Sequence, residues 1–296
     1  MSAHLRPRRS ILYMPGSNAR ALEKGRSQPA AGQVHGKEGA GGPDLEDAVA
    51  PDAKAGARDV IAAALADRAA YGRRELIVRT NGLDTAWGEG DLVAMAKAGA
   101  DAILLPKVES AAMVQEAVDV LDGAGAPGHL PVWCMMETPR GILHAEEIAD
   151  HPRVEGFVMG TSDLTKDLQA LHTAMRLPML PSLAICLLAA RAARIAIVDG
   201  VYLDLNDAEG LEASCKQGRE LGFDGKTLIH PKQIDAANAA FGPSPEAVAW
   251  AHKIIAAFEA AQAEGKGVVV VDGKLIENLH VAEAKRLVTL ADAIGA

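Results

Sequence analysis

No stretch of this sequence approaches the roughly 18 consecutive apolar residues of a membrane-crossing helix, so no membrane span is expected. Positive charge is not in surplus either. Lys and Arg number 30 against 39 Asp and Glu, a formal net charge of −9 at pH 7. That balance argues against a general nucleic-acid surface, which replaces condensed counterions with a basic face. Cysteine is scarce: Cys134, Cys186 and Cys215 have no paired spacing. Neither a zinc site nor a disulfide framework is therefore expected, and a reducing compartment fits. Arg6, Arg8 and Arg9 lie near the amino terminus, but the apolar patch behind them, 10–14, is too short for the hydrophobic region of a secretory signal. A cytoplasmic location is the expectation.

What is present suits a globular protein. The chain has 296 residues, 49% of them hydrophobic and 23% charged, proportions ordinary for a folded domain. This length serves one large core or two smaller ones, and strand–helix barrels commonly reach it as a single unit. Short apolar segments at 10–14, 75–79, 102–106, 131–136, 156–160, 195–199 and 226–230 read as strands. Between them lie alanine-rich segments of helical period, such as 55–66, 110–121 and 183–193. An eighth strand belongs just before Asp44-Leu45-Glu46-Asp47. Eight such units close into an α/β (β/α)8 barrel of the TIM type, with the active groups on the loops after the strands. A doubly wound open sheet is the competing architecture.

The eighth strand is the irregular one. Residues 28–43 hold five glycines and a single branched aliphatic residue, Val34. Glycine weakens a strand interior and Pro43 cannot donate to a ladder, so a short or distorted strand is expected. After a barrel domain over 1–240, the segment 241–296 reads as a separate extension. The punctuation Phe241-Gly242-Pro243-Ser244-Pro245 precedes a helix over 246–264. Asp272-Gly273 between apolar runs then marks a hairpin, and a last helix over 281–294 follows.

Two apolar runs end in an acid: Val132-Trp133-Cys134-Met135-Met136-Glu137 and Gly156-Phe157-Val158-Met159-Gly160-Thr161-Ser162-Asp163. Strands buried on both faces read as continuous hydrophobic runs, so these acids stand at carboxyl ends of neighbouring strands. Two carboxylates aimed at one volume suit a hard divalent cation with oxygen ligands. Each residue also has a plainer reading. Glu137 or Asp163 alone would be a solvated loop acid or a helix cap. Arg79 would be an ion-pair partner of Glu46 or Asp47 at the barrel mouth, and Asp44 part of a capping cluster. His230, before Pro231, would hold a loop through a backbone hydrogen bond rather than act as an acid or ligand. Lys107 would suggest a Schiff-base aldolase, except that neighbouring acids raise an amine's pKa where that chemistry needs it lowered. Cys134, inside an apolar run with no histidine nearby in sequence, reads as a small buried hydrophobe rather than a nucleophile.

Beyond those readings, the ordered set of segments resembles a known family. It comprises Arg9-Ser10-Ile11-Leu12-Tyr13-Met14-Pro15-Gly16-Ser17, Asp44-Leu45-Glu46-Asp47-Ala48-Val49, Val78-Arg79-Thr80-Asn81-Gly82 and Leu105-Pro106-Lys107-Val108. Met136-Glu137-Thr138, Gly160-Thr161-Ser162-Asp163-Leu164, Asp199-Gly200-Val201-Tyr202, Gly225-Lys226-Thr227-Leu228-Ile229-His230-Pro231 and Asp272-Gly273-Lys274-Leu275-Ile276-Glu277-Asn278 complete it. Together they resemble the citrate lyase beta subunit and malyl-CoA lyase group of the HpcH/HpaI aldolases, nearest its (3S)-malyl-CoA thioesterase branch. The resemblance implies a strand–helix barrel whose carboxy-terminal segment packs on a neighbouring subunit in a homotrimer or hexamer. It implies Mg2+ as cofactor, with Glu137 and Asp163 as its ligands and Glu46 with Asp47 supporting the metal's water shell. Arg79 would bind the substrate's carbonyl or carboxylate oxygens, and Arg20 and Lys24 would meet the anionic coenzyme A of a CoA thioester substrate.

The acid–base group divides that family. Where the malyl-CoA lyases carry an aspartate in the tail, supplied by the adjacent subunit, the residue here is Glu277. A carboxylate one methylene longer would misplace a proton transfer at carbon yet still position a water for attack on a thioester. Hydrolysis of (3S)-malyl-CoA to malate and coenzyme A is therefore the expectation. The alternatives are carbon–carbon cleavage of malyl-, methylmalyl-, citramalyl- or citryl-CoA, and a citrate lyase beta-like subunit that needs alpha and acyl-carrier partners. A pyruvate-type metal aldolase without coenzyme A and a non-catalytic subunit are readings from other classes.

Overall fold

The computed structural model describes residues 6–27 and 40–295. Eight parallel strands pair in chain order around a closed barrel: β1 (Ser10–Pro15), β2 (Ala40–Asp44), β3 (Glu75–Arg79), β4 (Ala102–Leu105), β5 (Val132–Met136), β6 (Val154–Met159), β7 (Ala196–Asp199) and β8 (Gly225–Leu228). Helices α1 (Ala19–Ser27), α2 (Lys54–Ala66), α3 (Gly88–Met95), α4 (Ala111–Gly123), α5 (Pro139–Leu143), α6 (Ala145–Ala149), α7 (Thr161–Asp167), α8 (Leu180–Ala193), α9 (Ala208–Leu221) and α10 (Ile234–Phe241) surround it. The expected barrel is the fold observed. Among the described residues no helix is long and apolar enough to cross a membrane.

Each helix follows from its apolar stripe and its caps. On α4, Ser110 accepts from the Met113 amide, and Val114, Ala117, Val118 and Leu121 form the buried face at helical spacing. On α9, Asp207 caps the Gly210 amide and Gly222, at φ +106°, ends the helix in the left-handed region open to glycine. The strands alternate. Leu76 and Val78 pack outward with the helices, while Ile11, Ile77, Ala102, Leu104, Trp133, Met135, Val158 and Val198 form a separate cluster in the lumen. Trp133 is fully buried, and any side chain at Gly156 would strike its indole ring. That contact explains the glycine in β6. Below it, Arg8 stacks on Trp133 at 4.9 Å and forms a bidentate pair with Glu75, at 2.7 and 2.9 Å.

β2 differs from the expectation of distortion. It pairs with β1 over five residues, and its pairs with β3 keep one constant offset from Ala40↔Glu75 to Asp44↔Arg79. Gly42 lies beside the Tyr13 ring, so the strand's small residues leave space that a neighbour's side chain uses. The remainder of the irregular stretch, 28–39, lies outside the described residues.

The extension consists of α11 (Pro245–Ala263), the hairpin β9 (Val269–Val271) with β10 (Lys274–Ile276), and α12 (Asn278–Ile294). Ala251, Ile254, Phe258, Val271, Ile276, Val281 and Ala284 make a core of their own, sharing no residue with the barrel's clusters.

Candidate active site

Alternation along the strands delivers the polar residues at the barrel mouth. On β3, Ile77 faces the lumen and Arg79, two residues on, is the next inward position. On β5 the sequence Trp133, Met135, Glu137 does the same, with Glu137 one step past the strand. Thr138 then accepts from the Gly141 amide and Pro139 opens α5, so the chain turns away directly behind the acid. Asp163 stands in the first turn of α7, immediately after β6. Tyr13, Asp47, Arg79, Met135, Glu137 and Asp163 are among the residues lining one cavity of about 300 Å3 at this end of the barrel.

Arg79 is held from several sides. Asp44, its register partner on β2, receives Nε at 2.8 Å and Nη2 at 2.7 Å. Nη1 meets Glu46 Oε2 at 2.8 Å and Asp47 Oδ2 at 3.3 Å, and the guanidinium lies over the Tyr13 ring at 4.9 Å. Burial opposes its charge, but Asp44 together with Tyr13 and Glu46 outweighs that and raises the pKa. The loop bearing Glu46 is itself pinned. Buried Lys54 donates its Nζ to the Leu45 and Glu46 carbonyls and to Asn81 Oδ1, at 2.9, 2.9 and 2.8 Å.

Glu137 is 3% exposed, and its Oε1 accepts from the Lys107 amide at 2.8 Å. Lys107 presents that amide from φ +50°, a left-handed conformation uncommon for a residue with a side chain. Gly160 is required by the same acid: a Cβ there would collide with the Glu137 Cβ and Oε2. Burial, aided by the charges of Glu46 and Asp163, pushes the Glu137 carboxyl up to about 8 against the Lys107 hydrogen bond. Glu46 is raised as well, chiefly by burial and then by its neighbour Asp47, with Arg79 opposing. Asp47 is lowered despite burial, through its hydrogen bond with Glu46 and the charge of Arg79. The Lys107 amine lies close enough to Glu46, Asp163 and Glu137 for their charges to outweigh burial and raise its pKa. A raised pKa is opposite to what Schiff-base chemistry needs. Cys134 is fully buried, and burial pushes its thiol up, away from the thiolate a nucleophile requires.

The structure thus brings Glu137, Asp163, Arg79 and Asp47 to one cavity, with Glu46 bonded to Arg79 at its edge. Arg20 and Lys24 are exposed on α1, outside the residues lining that cavity. Glu277 is also outside it. Its side chain accepts from the His280 amide, and its own amide donates to His280 Nδ1 at 3.0 Å, a cap on α12. His230 holds the turn after β8 by accepting from the Lys232 amide at 3.1 Å. The sequence places Asp44 in a capping cluster. It does accept from the Glu46 and Ala48 amides, at 2.9 and 3.2 Å, but its larger commitment is to Arg79. Lys54 and the Lys107 backbone were missed, because their partners come from strands far away in the chain.

The sequence profile of HpcH/HpaI aldolase/citrate lyase matches 43–231. The chain is 52% identical over 296 residues to the (3S)-malyl-CoA thioesterase of Cereibacter sphaeroides strain KD131, covering 100% of this chain and 99% of that protein. It is 36% identical over 317 residues to the L-malyl-CoA/beta-methylmalyl-CoA lyase of C. sphaeroides strain ATCC 17025, covering 98% and 96%. Among solved structures, the protein CitE from Mycobacterium tuberculosis, in complex with magnesium, acetoacetate and coenzyme A, superposes with a TM-score of 0.76 at 29% identity, covering 96% and 97%.

Proposed function

The chain belongs to the HpcH/HpaI aldolase/citrate lyase family, and on that premise we propose that this enzyme is a magnesium-dependent hydrolase cleaving (3S)-malyl-CoA to malate and coenzyme A. The observation that carries the reading is the single cavity in which Glu137, Asp163 and Arg79 meet. It is supported by the full-length identity to a thioesterase of that name.

The residues present fit the metal. Among the described residues no group of three or more His, Cys, Asp or Glu side chains forms a cation cage. Magnesium typically takes only one or two protein carboxylates and keeps the rest of its shell for water and substrate. Among the described residues no cationic side chain bonds the buried Glu137 carboxylate, whose accepted bond is from the Lys107 amide, and Gly160 keeps clear the space beside it. Glu137 and Asp163 would hold the ion, which when bound supplies Lewis-acid polarisation of a chelating hydroxy-acid thioester.

The remaining work falls to the chain's own groups. Asp44 fixes Nε and Nη2 of Arg79, so only Nη1 has a weak bond to exchange, its 3.3 Å contact with the exposed Asp47. Nη1 donates instead to a substrate oxygen that gains negative charge in the transition state. Glu46, with its raised pKa, exchanges a proton near neutral pH at the edge of the same cavity. Glu277 orients the attacking water, and Arg20 and Lys24 meet the coenzyme A phosphates.

This reading has Glu277 supplied to the mouth by another subunit, in a homotrimer or hexamer whose segment 241–296 packs on its neighbour's barrel. Val268, Val270, Leu275 and Leu279, exposed around the hairpin, are the apolar surface such packing would cover. A cytoplasmic location suits three cysteines that are all free and buried. The test supplies malyl-CoA with magnesium and measures free thiol and glyoxylate together. Thiol without glyoxylate is expected. Stoichiometric glyoxylate would overturn hydrolysis in favour of carbon–carbon cleavage.

A further inference from the structure

A second cavity, of about 630 Å3, opens at the opposite end of the barrel. Its walls come from the residues before β1 and β8, the start of β7, the last turns of α8 and α9, and one side of α12. Five guanidinium groups line it, from Arg6, Arg8, Arg191, Arg219 and Arg286, in a chain whose net charge is −9.

Three of the five are accounted for. Arg8 is paired with Glu75, which Arg6 also approaches at 3.5 Å. Arg191 takes both oxygens of Asp224, at 2.8 and 3.1 Å, and the Gly222 carbonyl, an arrangement that caps a helix end and needs no ligand. Arg219 and Arg286 make no hydrogen bond or ion pair among the described residues, yet they stand near enough to repel each other. Of the two carboxylates whose charges reach Arg219, Asp224 is committed to Arg191 and Glu283 is exposed. Phe223 and Phe241, both buried, give the cavity an apolar wall. Unmatched arginines, Arg219 half-buried and Arg286 exposed at the rim, around a concave space of this size are the donor set that bidentate recognition of phosphate or carboxylate uses.

We propose that this cavity is a second ligand site, for a small multiply charged anion bearing phosphate or carboxylate groups, with Arg219 and Arg286 as its principal donors. The site stands independently of the reaction assigned to the mouth. The lumen between the two ends is filled by Trp133 and its neighbours, so an anion bound below does not occupy the substrate's place.

The experiment uses the full chain in magnesium-free, low-salt buffer, with inorganic pyrophosphate as the phosphate probe and tricarballylate as the carboxylate probe. Calorimetry and thermal melts follow each. At least one probe is expected to bind and raise the melting temperature, and the arm that does so identifies the group recognised. Arg219→Gln/Arg286→Gln is expected to weaken that binding tenfold or more while leaving malyl-CoA turnover without added anion unchanged. Arg79→Lys, at the mouth, is expected to leave it intact. The proposal is overturned if neither probe binds at millimolar concentration or if the double variant binds as the parent does. It is equally overturned if Arg79→Lys abolishes binding, which would move the anion to the mouth. A change of oligomer size in the double variant without anion binding would assign these arginines to a contact between copies.

Discussion

Glu137 gives the sharpest quantitative test. Its carboxyl is raised from 4.5 to about 8, with burial as the main cause. A raised acid pKa means that the folded state binds the proton more tightly than the unfolded chain does. The destabilisation this imposes, met below pH 8 by taking up a proton on folding, is therefore small near pH 5 and grows as pH rises toward 8. With 1.36 kcal/mol per pKa unit, the upper figure is about 3 kcal/mol at pH 7 and about 4 kcal/mol at pH 8. Glu137→Gln removes the titratable group, and its amide oxygen still accepts from the Lys107 amide that now reaches Oε1 at 2.8 Å. The variant is thus expected to be inactive and yet more stable than the parent in EDTA, with a gap that widens from pH 5 to pH 8. At roughly 2–4 °C per kcal/mol for a chain of this size class, the difference at pH 8 is read directly by thermal melts. Added magnesium should stabilise the parent and not the variant. A variant that melts below the parent at pH 8 in EDTA refutes the reasoning, because it would mean that the carboxylate is already compensated within the protein.

Three further outcomes follow from neighbouring contacts. Because magnesium displaces the proton from Glu137, binding at pH 7 is expected to release protons and to tighten as pH rises to about 8; calorimetry giving the same enthalpy in buffers of different ionisation heat would refute this. Arg79→Lys keeps a charge but loses the fork that Asp44 holds at 2.8 and 2.7 Å. A fall in kcat of about 10²-fold in a folded protein is expected, and activity within a factor of two of the parent would count against Nη1 as the donor. Gly156→Ala places a methyl against the Trp133 ring. A loss of about 1–3 kcal/mol in urea unfolding, with a shifted tryptophan emission, is expected, and an unchanged midpoint would show that the lumen has room.

The barrel was legible in the sequence because strands buried on both faces leave continuous apolar runs. The run 75–79 matches β3, and the others differ from their strands by no more than two residues at either end. The acids Glu137 and Asp163 were legible for the same reason, being the first acids past such runs. β2 was hard to read because Ala40-Gly41-Gly42-Pro43-Asp44 carries almost no apolar signal, and its order comes from the register of β1 and β3. The support of the site was not legible. That Asp44 grips Arg79 depends on strand register, that Lys54 ties down Glu46 depends on how α2 lies on the barrel, and that Gly160 must lack a side chain depends on the path of Glu137.

The indole at the centre of the barrel also governs traffic. With Trp133 filling the lumen, and Arg8 locked to Glu75 beneath it, nothing can pass from one end to the other. Reactant and both products of the proposed hydrolysis must then share one doorway. With Glu137 and Asp163 holding the acid as proposed, the compact acid would sit innermost and the long nucleotide thiol would trail outward, so the thiol would have to clear the passage before the acid could follow.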